Sequence, residues 1–141
     1  MESYFSRYGN NVYSVESGVS VKFGSFRSGM LIETSIVGAY YLGADVLEKL
    51  LSLADNRRVV VRHTTANKKD PMAMAVYIGM EQIGWLPAEM AVAMAHFIAH
   101  DRGAAYRELG NYIIQGYIVG GPTHNGARRH MNLKVEPIYL P

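Results

Sequence analysis

The chain has 141 residues, 49% hydrophobic and 18% charged, so it can bury a core and is not a disordered segment. It has no cysteine, which excludes a disulfide scaffold, cysteine-ligated zinc, iron–sulfur clusters and thiol catalysis, and fits a cytoplasmic location. The formal charge of +2, from 14 basic and 12 acidic groups, is too small to name a partner by itself.

The N-terminal third alternates and is punctuated by glycine. Residues 12–15, Gly18, residues 19–23 and Gly24 predict a hairpin with a short turn. Residues 30–41 continue in the same style, with Ile32, Ile36 and Val37 as β-formers. The period then changes. Asp45 is a plausible N-cap, and Val46, Leu47, Leu50, Leu51 and Ala54 fall on one face of a short helix. Residues 59–62 are β-branched and predict a strand that enters a basic loop. Residues 73–78, a turn at Gly79-Met80-Glu81, and residues 82–86 predict a second hairpin.

Pro87 sits at the start of a second helix, with Met90, Ala91, Met94, Phe97 and Ile98 on one apolar face and Glu89, His96 and His100 elsewhere. Residues 111–119 and 131–135 close the chain as strands, joined by a loop over residues 120–130 that contains paired arginines. The methionines fall largely on core-facing positions and are read as packing. Antiparallel strands with short turns predict a mainly β (α+β) fold, a small barrel or sandwich with one or two covering helices. No apolar run approaches 18 residues, and the first ten residues are too polar for a secretory signal, so no membrane association is expected.

Enzyme signatures are absent: no G-x-S-x-G, no Walker loop, no G-x-G-x-x-G and no H-E-x-x-H. No catalytic residue and no cofactor is predicted. His96 and His100 have a spacing that lets two imidazoles share a metal, but no third ligand is apparent, so no metal site is predicted. The stretch 56–69 carries Arg57, Arg58, Arg62, Lys68 and Lys69 with no acid among them. Such a run is either a phosphate-facing stripe or a solvated surface. Asp70 follows it directly. A carboxylate repels a phosphate but accepts a hydrogen bond from a sugar hydroxyl, so it suits the end of a nucleic-acid strand. Asn67 and Asp70 are equally explained as residues that cap a turn. Tyr40 and Tyr41 follow a predicted strand. Either they offer a stacking platform for unpaired bases, or one is core and one rim.

Taken together, Ile36-Val37-Gly38-Ala39-Tyr40-Tyr41, then Asn67-x-x-Asp70-x-x-Ala73-x-x-Val76, then Gln82-Ile83-Gly84-Trp85-Leu86-Pro87-x-Glu89-x-Ala91, resemble the HIRAN domain. A weaker echo follows at His130-Met131-Asn132. The resemblance implies an OB-like antiparallel β-barrel over residues 34–141, with residues 1–33 as an N-terminal hairpin extension. It implies binding of single-stranded DNA with preference for a free 3′ end, with Tyr40 and Tyr41 stacking on bases and Asn67 and Asp70 holding the terminal nucleotide. The cations Arg57, Arg58, Arg62, Lys68 and Lys69 would meet phosphates. This chain departs from the family pattern at three positions: Ala39 stands where arginine is frequent, Lys69 where tyrosine is frequent, and Gly120 near the position of a loop aromatic. The second reading is a protein-interaction module, phage- or mobile-element-encoded, that kept the barrel and lost the DNA site. Homodimer formation through the N-terminal hairpin edge, or incorporation into a larger DNA-processing protein, fits either reading.

Overall fold

The computed structural model describes residues 11–13, 20–22, 26–38, 44–53, 57–65, 67–119 and 129–140. In chain order they form β1 (Asn11–Tyr13), β2 (Ser20–Lys22), β3 (Leu31–Ile36), α1 (Ala44–Leu53), β4 (Arg58–His63), β5 (Met74–Ile78), β6 (Glu81–Trp85), α2 (Ala88–Arg102), a 3-10 segment (Tyr106–Asn111), β7 (Tyr112–Val119) and β8 (Arg129–Tyr139). β1 and β2 pair antiparallel as a hairpin. The other six strands form one antiparallel sheet in the order β3-β8-β7-β4-β5-β6.

The two outer strands of that order meet. Val37, the residue after β3, exchanges both backbone hydrogen bonds with Trp85 at the end of β6, each at 2.8 Å. The sheet thus curls into a barrel, and the fold is mainly β with two helices, as the order of predicted elements requires. β3 begins at Leu31, opposite Lys134 of β8, so the barrel takes in residues ahead of position 34.

Alternation places side chains on two faces of each strand. On β4, Val59, Val61 and His63 point inward, while Arg58 and Arg62 are exposed. Ile114 and Ile118 of β7 and Met131, Leu133 and Val135 of β8 complete the wall of the core. Gly116 is required where these two strands approach. A Cβ there would collide with the Asn132 carbonyl oxygen and lie 2.6 Å from Leu133 Cδ2.

The helices depart from expectation in instructive ways. α2 is buried on more than the one apolar face expected: Met90 through Ala95, Phe97 and Ile98 are all buried, and His96 is exposed. Ala91, Ala93 and Ala95 are small enough to let neighbours close in on several sides, and β1 lies alongside the helix. The helix stops at Gly103, whose φ of 61° is the left-handed cap conformation that glycine adopts without strain. α1 sends Leu47 and Leu51 into the core and Glu48 toward the barrel end.

There Glu48 Oε1 accepts a hydrogen bond, 2.9 Å, from Nη1 of Arg129. Arg129 is not in a surface loop, as its pairing with Arg128 suggested, but begins β8 with its side chain buried. β8 also runs past Val135 to Tyr139. Pro137 is tolerated because it lies within the register shift between β7 and β8, where no ladder hydrogen bond is demanded of it. Among the methionines, Met80 at the β5–β6 turn is 97% exposed rather than packed. Among the described residues, no helix is long and apolar enough to cross a membrane.

Candidate functional site

β4 and the segment after it build the most distinctive surface. Arg62 points outward and its Nε donates a hydrogen bond to the Gly110 carbonyl, which draws the guanidinium against the 3-10 segment. The next residue, His63, points inward, and its Nε2 lies 2.8 Å from the Pro71 carbonyl oxygen. A carbonyl only accepts, so Nε2 carries the hydrogen. The Tyr106 hydroxyl donates to the same oxygen at 2.6 Å, and its ring meets the His63 ring edge to face with centroids 5.4 Å apart. Partial burial, and secondarily the charge of Asp70, push the Tyr106 hydroxyl pKa above its ordinary value.

The loop that Pro71 ends is folded on itself. Asn67 Oδ1 accepts from the backbone N–H of Lys69 at 3.0 Å and of Asp70 at 3.1 Å, and Asp70 Oδ1 accepts from the N–H of Met72 at 3.0 Å. Both side chains therefore do the turn-forming work that their residue types favour.

Beside this loop lies an open cleft of about 440 Å³, lined by Arg62, Thr64, Thr65, Tyr77, Tyr106 and Arg107 among others, with no acid among the described residues of its wall. Two cations, hydroxyls and tyrosine rings in one concave surface can hold an anionic ligand with a flat aromatic part.

The sequence-predicted residues distribute unevenly around it. Arg62 lines the cleft. Lys68 and Lys69 are exposed on the adjoining loop. Arg58 is exposed at the opposite end of β4. Arg57 turns away: its φ is 58°, its Nε donates to the Ile118 carbonyl at 3.3 Å, and its Nη1 lies 3.8 Å from Glu48 Oε2. It ties α1 to β7 and does not face the cleft. Tyr40 and Tyr41 lie outside the described residues. Sequence reasoning missed Tyr77, Tyr106 and Arg107. The outward position of Tyr77 was readable from alternation in β5, but Tyr106 and Arg107 sit in a short 3-10 segment with no periodicity to find.

His96 and His100 are exposed on α2, and among the described residues no group of three metal-binding side chains forms. Compared with protein-family models, curated proteins and solved structures, the chain matches none.

Proposed function

We propose that the chain is a non-enzymatic module of the HIRAN type that binds single-stranded DNA, with preference for a free 3′ end. One observation carries this reading: a cleft with Arg62, Arg107 and two tyrosine rings in its wall, and no acid among the described residues that line it, is joined through the Tyr106 hydroxyl to Pro71, at the end of the folded loop of Asn67 and Asp70.

Phosphates meet the arginines and the exposed Lys68 and Lys69, unpaired bases stack on tyrosine, and the Asp70 carboxylate accepts a hydrogen bond from the terminal hydroxyl. A terminal phosphate in the same place brings like charge to the carboxylate and is disfavoured. The test is fluorescence anisotropy with matched single-stranded and duplex oligonucleotides, the former carrying either a 3′ hydroxyl or a 3′ phosphate. Expected are tighter binding to single strands, tightest with a free 3′ hydroxyl, and steep weakening with salt. Absent or salt-independent binding overturns the reading.

A further inference from the structure

We infer that the cleft at Arg62 is one half of a longer groove that seats two consecutive unpaired nucleotides, with Arg62 at the phosphodiester between them. The inference rests on the DNA-binding reading and adds to it a path and a set of contact residues.

A second open cleft, of about 350 Å³, adjoins the first, and Arg62 and Tyr77 line both. Its remaining wall is mostly apolar: Val60, Met80, Ile113 and Leu140. The two clefts thus differ in chemistry across a shared ridge. The first offers Thr64, Thr65 and Arg107 to sugar and phosphate, with the Tyr106 ring beside them. The second offers an apolar floor and the Met80 side chain, 97% exposed, to a flat face. A nucleotide chain alternates in the same way between anionic linkage and flat, weakly polar base.

Arg62 is prepared for the linkage position. Its Nε is held by the Gly110 carbonyl, which fixes the plane of the guanidinium and directs the recognition role to its Nη groups. Tyr106 is held by its hydroxyl on Pro71, so stacking on its ring costs little further rotamer freedom. Tyr77 stands on the outer face of β5, in register with Val60 and Gln82, as the divider between the two base positions. Among the described residues, no acid lines either cleft. An apolar peptide would suit the second cleft alone. The shared arginine, with Arg107 beyond it, favours a polyanion that crosses both.

The test uses the full chain with fluorescein-labelled oligodeoxythymidine of increasing length, with Tyr77→Ala and Arg107→Glu as variants. Arg107 is exposed and makes no ion pair among the described residues, so its replacement leaves the fold intact. Tyr77→Ala should weaken binding on the order of tenfold, and Tyr77→Phe, which keeps the ring, should restore most of that loss. Arg107→Glu should also weaken binding and lower the salt slope by about 0.7. Photocrosslinking from 5-iodouracil should mark the peptides that contain Tyr77 or Tyr106. Wild-type binding with unchanged affinity and slope in Arg107→Glu, and no crosslink to either peptide, overturns the groove and leaves the DNA-binding reading standing. No binding by the wild-type chain overturns both.

Discussion

Val37 and Trp85 exchange both backbone hydrogen bonds, and through this pair the two edge strands of the sheet, β3 and β6, are joined. The Leu86 N–H then bonds to the Met74 carbonyl at 2.9 Å, which carries the seam into β5. An unpaired edge is a template for pairing with other chains, so a closing bridge protects the barrel as well as stabilising it. Val37→Pro removes one of the two donors and leaves the Trp85 carbonyl without its partner. It should destabilise the protein by about 1–3 kcal/mol. Urea unfolding measures this, and an unchanged midpoint would show that the seam contributes nothing to stability.

Arg58 and Arg62 share the outer face of β4, at its two ends. If both neutralise phosphates, Arg58→Ala combined with Arg62→Ala should weaken single-strand binding equally for all sequences. Each lost contact lowers the salt slope by about 0.7, so the pair should lower it by about 1.4. A loss of half that amount would leave a single contact, which the two single variants assign, and an unchanged slope would remove both from the interface.

The Asp70 carboxylate has two roles to separate. Its Oδ1 holds the Met72 N–H, so Asp70→Ala should lower the melting temperature, whereas Asp70→Asn keeps the acceptor and should retain most of the stability. For DNA, Asp70→Ala should lose about 1.5–3 kcal/mol toward a free 3′ end, the value of a hydrogen bond to a charged group. A 3′ phosphate should harm the native chain more than either variant. If Asp70→Ala melts early and weakens both oligonucleotides equally, the carboxylate serves the turn alone.

Tyr106 gives a pH signature. Burial first, and the charge of Asp70 second, raise its folded pKa above the ordinary 10.0. A group with a raised pKa in the folded state contributes stability that is fully present below its unfolded pKa and is lost as pH rises through the folded value. Stability should therefore fall as pH climbs above about 10, and Tyr106→Phe should shed part of that fall. In spectrophotometric titration, Asp70→Asn should move the Tyr106 step down, though not to the ordinary value, since burial remains. A step that stays in place would show that the carboxylate does not act on the phenol.

The strands of the barrel were legible where alternation is clean. Val59, Val61 and His63 against Arg58 and Arg62 give β4, and the residues flanking Gly79-Met80 give the β5–β6 hairpin. α2 was legible from Pro87 and the apolar positions Met90 to Ile98, but its burial was not, because alanine at 91, 93 and 95 reads as neutral and gains meaning only from what packs against it. The buried Arg129 was hidden because paired arginines after a glycine-rich stretch read as a solvated loop until a partner such as Glu48 is supplied by a distant helix. The candidate site divided along the same line. The turn of Asn67 and Asp70 is local and was readable from residue type. The meeting of Arg62 with Tyr106 and Arg107 depends on the strand order that seats the 3-10 segment beside β4, and no local pattern encodes it.

The Pro71 carbonyl, which takes hydrogen bonds from both His63 and Tyr106, sets the entropy of this loop. Ordering a free backbone costs on the order of 1–2 kcal/mol per residue, and a flexible loop would pay that cost each time a ligand arrived. Here the ordering is completed during folding, within the stability of the barrel itself. A ligand meeting residues 67–72 finds them in one conformation, so its arrival rate is governed by diffusion and long-range charge rather than by waiting for a rare loop geometry. Loosening the anchor, as Tyr106→Phe would, should therefore appear first in association kinetics, before any contact with the ligand is lost.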